Sequence, residues 1–85
     1  MARRSKMKID VYTKENCSYC VMAKAFLNAH NISYNEILLT KETIPNFKEQ
    51  YPQLKTLPQI FVNGDLLGGY DELLISRLQY KYHDN

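Results

Sequence analysis

The stretch that decides the fold is KENCSYCVMAK, residues 14–24, because it places two cysteines where a helix begins. Cys17 and Cys20 are three positions apart and are the only cysteines in the chain. The apolar residues that follow recur at helical spacing and predict a helix from about Ser18 to Ala29. Residues i and i+3 at a helix start share one face, about 5–6 Å apart at Cβ, which is near enough for a disulfide after small shifts.

The two cysteines are expected to differ in reactivity. The sulfur of Cys17 would lie beside the backbone N–H groups of Tyr19 and Cys20, which have no partner inside the helix. These donors, the helix dipole and the nearby Lys14 all favour a thiolate. Cys20 lies one turn inside the helix, where shielding keeps its thiol pKa higher. We therefore predict that Cys17 attacks and Cys20 resolves, although spacing alone also allows two cysteines that merely share a helix.

Length and composition exclude several classes of protein. Eighty-five residues with 45% apolar content predict one domain over residues 1–85, with the basic residues 1–6 as a disordered tail. A net charge of +2 is too small to indicate a nucleic-acid partner. The N-terminus leads into no apolar core of a secretory signal, and no run approaches the ~18 apolar residues of a membrane span. We expect a cytoplasmic monomer without a nucleic-acid or membrane partner.

Cysteine usage narrows the class further. A disulfide-stabilised secreted scaffold would carry several cysteines spread along the chain. A structural zinc site needs four ligands, and the two histidines, His30 and His83, stand alone and far apart. No metal is expected. A single CxxC in an intracellular α/β chain predicts redox chemistry instead.

The first half of the chain predicts a strand–helix–strand unit. MKIDVY alternates and predicts a strand with Met7, Ile9 and Val11 on one face, followed by the loop TKEN. ISYNEIL predicts a second strand with Ile32 and Tyr34 on one face. Two strands linked through a helix are expected to run parallel with a right-handed crossover.

The second half predicts a helix, a hairpin and a final helix. KETIPNFKEQY predicts a short helix with Pro45 in its first turn, where the missing N–H costs nothing. In QIFVNGDLLGG, Asn63–Gly64 supplies the two positive-φ residues of a tight turn between antiparallel strands. A last helix is predicted from about Asp71 to Tyr80, with Leu74 and Leu78 on its inner face. The predicted order is β-α-β-α-β-β-α, an α/β fold.

The segment KTLPQIF raises the question of a proline isomer. A Leu–Pro bond is cis in only about 5–6% of folded cases, so Pro58 is by default a trans turn residue. A cis bond directly before a strand would turn the backbone N–H and C=O of Leu57 outward, ready to pair with an extended peptide. Local sequence leaves both isomers open.

The segment GGYDEL also has two interpretations. Asp71 at a helix start is typically an N-cap. Alternatively, the N–H groups of Tyr70 and Asp71 bind a carboxylate while the Asp71 side chain holds an amine. The sequence does not decide between them, and both tasks can coexist.

With CxxC, TxP and GGxD in this order and at these distances, the chain resembles a glutaredoxin of the dithiol type, with a CSYC active site. The resemblance extends from about Met7 to Leu78 through YTKENCSYC, TLPQIFVNG and GGYDEL. It implies a thioredoxin-like fold, with a four-stranded mixed sheet and three helices. It also implies a cis bond at Pro58, glutathione as the reducing co-substrate, and reduction of protein disulfides and protein–glutathione mixed disulfides.

The resemblance also implies roles for individual residues. Cys17 is the nucleophile and Cys20 the resolving thiol, while Leu57 pairs its backbone with the cysteinyl part of glutathione. Lys14 lies near the glycine carboxylate, and Tyr19 flanks the sulfur. The residues expected to bind glutathione are Lys14, Tyr19, Lys55, Thr56, Leu57, Pro58, Tyr70 and Asp71. Implied partners are disulfide-containing or glutathionylated proteins, with ribonucleotide reductase as one example.

Three positions depart from the family pattern. Ser18 replaces the usual proline of CPYC, and some family members with serine there hold a [2Fe–2S] cluster between two subunits. Pro45 stands where many members have a Gln or Arg that reaches glutathione, a contact that Lys48 or Lys55 would replace. Lys55 itself stands where Arg is frequent, so a point charge replaces a planar fork. Two other functions stay open: a thioredoxin-like electron donor recharged by thioredoxin reductase, and a carrier of a glutathione-ligated iron–sulfur cluster.

Overall fold

A computed structural model of the chain describes residues 7–78. The strands are β1 Ile9–Lys14, β2 Asn35–Leu39, β3 Gln59–Val62 and β4 Asp65–Gly68, and the helices are α1 Ser18–Ala29, α2 Ile44–Gln50 and α3 Tyr70–Ile75. The sheet has the strand order β2-β1-β3-β4. β1 is parallel to β2, and the β1–β3 and β3–β4 pairs are antiparallel. The predicted four-stranded mixed sheet with three helices, in the order β-α-β-α-β-β-α, is therefore confirmed.

The first strand ends later than the sequence indicated. TKEN was expected to form a loop, but Thr13 and Lys14 continue β1 and pair with Leu38 and Leu39 of β2. Thr13 is buried, with 1% of its surface exposed. The longer strand carries the backbone almost to α1, so Lys14 and Cys17 emerge at the same edge of the sheet.

The second strand begins later than predicted, at Asn35. Its pairing with β1 starts at Asp10, whose carboxylate accepts a hydrogen bond from the Asn35 amide, 3.1 Å away. Ile32 and Tyr34 precede this pair and lie outside the strand. Ile32 is still buried, because the connection from α1 passes over the core.

The predicted hairpin turn is confirmed by its backbone angles. Asn63 has φ 53° and Gly64 has φ 86°. The Asn63 side chain also accepts a hydrogen bond from the backbone N–H of Lys8, 2.8 Å away. This bond fastens the turn to the chain just before β1.

The last helix is shorter than predicted. The expected helix from Asp71 to Tyr80 begins one residue earlier and ends at Ile75, and its predicted last residues lie outside residues 7–78. The Ser76 hydroxyl donates to the carbonyl of Leu73, 2.7 Å away, and Arg77 has φ 62°. A positive φ at Arg77 interrupts the helical repeat, so the spacing from Leu74 to Leu78 does not describe one helix face.

Burial in the final segment follows from that break. Leu73 is fully buried, whereas Leu74 is 41% exposed, so the prediction that Leu74 faces inward is wrong. Leu78 is buried as predicted. The buried core lies between the sheet and the helices α1 and α3, and it consists of Ile9, Val11, Ala23, Leu27, Ile32, Ile60, Leu73 and Leu78.

Helix α2 packs against the other face of the sheet through aromatic rings. Tyr12 alternates with the core residues of β1, and its ring lies 4.8 Å from that of Phe47 and 5.5 Å from that of Phe61. Tyr51 contacts both phenylalanines. Burial, together with Tyr51 and Asp10, raises the pKa of the Tyr12 phenol.

The predicted tail, residues 1–6, lies outside the described part of the chain. Between residues 7 and 78, no helix has the length and apolar content needed to cross a membrane.

Candidate active site

The two cysteines lie at the N-terminus of α1, joined by a disulfide with their Cα atoms 5.2 Å apart. Cys17 is the N-cap of α1, with extended backbone angles, and its sulfur accepts a hydrogen bond from the N–H of Cys20, 3.2 Å away. No matching hydrogen bond from the N–H of Tyr19 is present within residues 7–78. The sulfur of Cys17 therefore has one of the two backbone donors that the sequence predicted.

Exposure differs between the two cysteines. Cys20 is 1% exposed, whereas Cys17 is half-buried. An incoming thiolate can therefore reach the sulfur of Cys17 more easily than that of Cys20. Burial also disfavours a charged sulfur at Cys20. This geometry suits the predicted roles of attacking and resolving cysteine.

The loop before β3 stands directly against the cysteine pair. The Leu57–Pro58 peptide bond is cis. The carbonyl oxygen of Leu57 lies 3.5 Å from the sulfur of Cys17. The side-chain amide of Gln59 donates to the carbonyl of Thr56, 3.0 Å away, and holds the loop in place.

A pocket of about 250 Å³ opens between this loop and the start of α3. We call it the acidic pocket, and it is lined by Tyr19, Thr56, Leu57, Pro58, Gly69, Tyr70, Asp71 and Glu72. The rings of Tyr19 and Tyr70 lie 5.8 Å apart and form one wall. Both of its charged side chains are carboxylates, so the pocket favours a cationic group.

The two carboxylates of this pocket have different tasks. Gly69, not Asp71, is the N-cap of α3, so the N-cap interpretation of Asp71 is wrong. The N–H of Gly69 donates to the carboxylate of Glu72, 2.9 Å away. Sequence reasoning missed Glu72, although a Glu three residues after a helix cap is a known signal. Because Glu72 holds the backbone, the carboxylate of Asp71 is left for a ligand.

A second pocket, of about 150 Å³, lies on the α2 side of the same loop. We call it the lysine pocket, and it is lined by Lys14, Leu39, Ile44, Phe47, Lys48, Leu54, Lys55, Thr56 and Leu57. Its three lysines come from β1, α2 and the loop before β3, and none forms an ion pair within residues 7–78. Three uncompensated ammonium groups make this pocket favourable for an anion.

The three positions that depart from the family pattern, Ser18, Pro45 and Lys55, lie in different parts of the site. Pro45 lies in the first turn of α2 and does not line the lysine pocket, whereas Lys48, one turn later, does. Lys55 lines it as well. Both lysines that the sequence suggested as substitutes therefore stand where an anion would bind. Ser18 is the exposed first residue of α1.

The two pockets adjoin each other, because Thr56 and Leu57 line both. Each of the eight residues expected to bind glutathione lines at least one of them. Together they form a groove that is acidic at one end and basic at the other, with Leu57 at its centre. The sulfur of Cys17 lies beside that centre.

A charged cluster that sequence reasoning missed lies on the other side of the cysteines. The Glu36 carboxylate accepts hydrogen bonds from the Thr13 hydroxyl, 2.7 Å away, and from the Lys24 ammonium, 2.9 Å away. Both hydrogen bonds lower the pKa of Glu36, and the one from Thr13 has the larger effect. Thr13 and Glu36 are 23 positions apart, so only the pairing of β1 with β2 reveals the contact.

Among residues 7–78, no group of three or more His, Cys, Asp or Glu side chains is placed to hold a metal ion.

Comparison with known sequences identifies the family. The family model described as glutaredoxin matches residues 9–67. Glutaredoxin 1 of Rickettsia conorii is 41% identical over 68 residues, which cover 76% of this chain and 67% of the relative. Glutaredoxin 3 of Escherichia coli K12 is 34% identical over 70 residues, which cover 76% of this chain and 80% of the relative.

Solved structures share the fold. Glutaredoxin 1 from Francisella tularensis, complexed with cacodylate, superposes with a TM-score of 0.78 at 28% identity and covers 92% of this chain and 99% of that one. A glutathione complex of buckwheat glutaredoxin superposes with a TM-score of 0.70, covering 92% of this chain and 74% of that one. At 22% identity the second likeness shows the fold alone. The fold is thioredoxin-like, as predicted.

Proposed function

This chain belongs to the glutaredoxin family of thiol–disulfide oxidoreductases, and from that premise we propose that it takes its electrons from glutathione. In this proposal it reduces protein–glutathione mixed disulfides and protein disulfides. Cys17 is the attacking sulfur and Cys20 the resolving one.

The observation that carries this proposal is the distribution of charge along the groove beside Cys17. The lysine pocket and the acidic pocket meet at Leu57, whose carbonyl oxygen is 3.5 Å from the reactive sulfur. Glutathione has a glycine carboxylate at one end, an ammonium and a carboxylate at the other, and its thiol in between. The charge order of the groove thus complements the charge order of this tripeptide.

We assign each part of glutathione to a part of the groove. The glycine carboxylate lies in the lysine pocket, within reach of Lys14, Lys48 and Lys55. The cysteinyl backbone pairs with the backbone of Leu57, as an extended peptide pairs with a strand edge. The γ-glutamyl end enters the acidic pocket, where the Asp71 carboxylate holds its ammonium and the backbone N–H groups of Tyr70 and Asp71 bind its carboxylate. This orientation directs the glutathione sulfur toward Cys17.

Reduction of a mixed disulfide needs Cys17 alone. The Cys17 thiolate attacks the glutathione sulfur of the mixed disulfide, forming a bond to glutathione while the target protein leaves as a thiolate. A second glutathione thiolate then attacks the bound glutathione sulfur. The new bond between the two glutathione sulfurs makes oxidised glutathione, and the electron pair of the broken bond stays on Cys17, which leaves as a thiolate. The N–H of Cys20, which donates to the Cys17 sulfur, stabilises the departing thiolate and so favours this last step.

Reduction of a protein disulfide uses both cysteines. Cys17 attacks one sulfur of the target, and Cys20 then attacks Cys17 and releases the fully reduced target. The product is the Cys17–Cys20 disulfide, which is the state that the structure shows. One glutathione thiolate reopens it at the more exposed Cys17, and a second removes the first as oxidised glutathione. Ribonucleotide reductase is one disulfide-forming target of suitable chemistry, in the cytoplasm that we expect for this protein.

The electron donor can be tested with coupled assays. NADPH is supplied either with glutathione and glutathione reductase or with thioredoxin reductase, and its oxidation is followed with a small mixed disulfide as substrate. We expect turnover only in the glutathione arm. Turnover only with thioredoxin reductase would overturn the proposal and favour a thioredoxin-like donor.

Variants of the two cysteines test the division of roles. Cys20→Ser is expected to keep reducing mixed disulfides and to lose the reduction of protein disulfides, while Cys17→Ser loses both activities. A Cys20→Ser variant without any activity would contradict the one-cysteine route. A coloured dimer with visible absorbance after anaerobic purification, together with weak thiol transfer, would instead favour a cluster carrier.

A further inference from the structure

One carboxylate outside the groove joins three elements of the fold beside the cysteine pair. Glu36 on β2 accepts hydrogen bonds from Thr13 on β1 and from Lys24 on α1. Thr13 is fully buried, so Glu36 also satisfies a hydroxyl that has little access to water. The position of this carboxylate is therefore well determined by the fold.

Two members of this cluster line the same cavity as the two cysteines. Cys17, Cys20, Lys24 and Glu36 all line one open cavity, which we call the cysteine-side cavity. Its other lining residues are Lys14, Glu15, Asn16, Ser18, Val21 and Leu38. Lys24 follows Cys20 by four positions on α1, so the two side chains are neighbours on one helix face.

We propose that the Lys24–Glu36 ion pair sets the reduction potential of the Cys17–Cys20 couple by neutralising an ammonium group one helical turn from Cys20. This inference rests on the disulfide chemistry proposed above, but it does not require glutathione as the donor. Lys24 and Glu36 do not touch the reacting sulfurs. They are positioning residues that act through the local charge.

The sign of the effect follows from the charges of the two redox states. The disulfide is neutral, whereas the reduced pair carries a thiolate. A positive charge nearby stabilises the thiolate, and a stabilised reduced form makes the couple more oxidising. Glu36 cancels the charge of Lys24 and so keeps the couple more reducing. The remaining charged residues that line the cavity, Lys14 and Glu15, are unchanged in every variant, so their contribution is common to all the proteins compared.

The size of the effect is limited by solvent. The side chains of Lys24 and Glu36 are 30% and 34% exposed, so water and salt screen their charges. For one unit charge placed one helical turn from Cys20, we expect roughly a two- to fivefold change in the equilibrium constant of the Cys17–Cys20 couple. At 29.6 mV per decade, that change corresponds to about 9–21 mV.

The test compares each variant directly with the wild-type protein. The oxidised variant is mixed with reduced, ¹⁵N-labelled wild type, and a trace of glutathione is added to speed exchange. After acid quenching and alkylation, mass spectrometry gives the fraction of each protein that is reduced. No glutathione-binding site is needed for this equilibrium, so its result is independent of the donor assay.

We expect opposite shifts from the two single variants. Glu36→Gln leaves the Lys24 charge uncompensated, so the variant should become the more reduced partner by about two- to fivefold. Lys24→Gln leaves the Glu36 charge uncompensated and should shift the equilibrium the other way by a similar factor. The double variant should return to within about 1.5-fold of wild type. In 1 M salt, where the Debye length is about 3 Å, the single shifts should shrink.

A matched control is the other ion pair within residues 7–78. Asp10→Asn removes the partner of Lys8, 3.8 Å away, and it lies three residues upstream of Thr13 on β1. We expect no shift of the equilibrium from this variant.

Equal potentials for wild type and Glu36→Gln would overturn the proposal. So would shifts in the same direction from both single variants, because such shifts indicate loosened structure and not charge. If glutathione fails as the donor but the opposite shifts appear, only the proposed donor is wrong.

Discussion

At the scale of single residues, charge decides what the groove can hold. Asp71 and Glu72 are neighbours in sequence, but Glu72 is used to hold the N–H of Gly69, while Asp71 has no ion pair within residues 7–78. On the other side of Leu57, three lysines face the same small pocket. A pocket that carries three like charges is stabilised when an anion enters, so we expect these lysines to contribute to ligand affinity more than to folding.

Lys48 offers the sharpest test at this scale, because it lines the lysine pocket, which Pro45 does not, and we propose that it contacts the glycine carboxylate of glutathione. We expect Lys48→Gln to raise the KM for glutathione about two- to fivefold and to leave kcat unchanged, because one solvent-exposed ion pair contributes an interaction free energy of about that size. Steady-state kinetics with varied glutathione measures both constants. Lys41→Gln is the matched control, since Lys41 lies before α2 and lines neither pocket of the groove. An equal rise in both variants would mean that net charge, and not the position of Lys48, sets the affinity.

At the scale of elements, the hairpin and α3 are fitted tightly to each other. Gly68 ends β4 with φ 130°, and a Cβ placed there would lie 2.6 Å from Cγ and 2.8 Å from Cβ of Glu72. Because Glu72 is also bound to the N–H of Gly69, it cannot move away without losing that bond. The close approach of β4 and α3 thus shapes the wall of the acidic pocket.

We expect Gly68→Ala to lower the free energy of unfolding by about 2–3 kcal/mol, because strain at a positive φ is added to a steric contact. Gly64→Ala is the control. Gly64 has φ 86° but open space around it, so only the backbone strain of about 1 kcal/mol should be lost. Urea unfolding of the two variants measures both values. If both variants lose the same free energy of unfolding, the contact of the new Cβ with Glu72 does not destabilise the protein.

At the scale of the whole molecule, the Thr13–Glu36–Lys24 cluster ties β1, β2 and α1 together beside the reactive cysteines. It links the packing of the fold to the charge around the active site. A change of pH that protonates Glu36 therefore acts on stability as well as on the redox couple.

The sign of the pH effect follows from the direction of the pKa shift. Hydrogen bonds from Thr13 and Lys24 lower the pKa of Glu36 in the folded protein. The stabilisation is complete above the unfolded pKa of about 4.3 and is lost as pH falls through the lower folded value. We expect wild type to be more stable than Glu36→Gln at pH 7 and the gap to narrow by pH 3, as measured by urea unfolding at both pH values. A gap that stays constant would mean that the carboxylate contributes no charge-dependent stability.

Local sequence predicted those parts of the fold that depend on neighbouring residues. The bounds of α1, Ser18–Ala29, follow from its apolar repeat, and the turn at Asn63–Gly64 follows from the positive φ that these residue types accept. Leu74 was misplaced because periodicity assumed a helix that continues to Tyr80. Whether that helix continues depends on the break at Ser76 and Arg77, which the apolar pattern does not encode.

The sequence by itself determined the family, the order of elements and a cysteine pair at a helix start, because these are written in short motifs and in local backbone preferences. Tertiary structure alone decided which side chains meet. The cis bond before Pro58 followed from the family resemblance. The Leu57 carbonyl oxygen lies 3.5 Å from the Cys17 sulfur only because the chain returns to α1. The lysine pocket and the contact of Thr13 with Glu36 join residues far apart in sequence, and such contacts form only when strand register and helix packing bring their elements together.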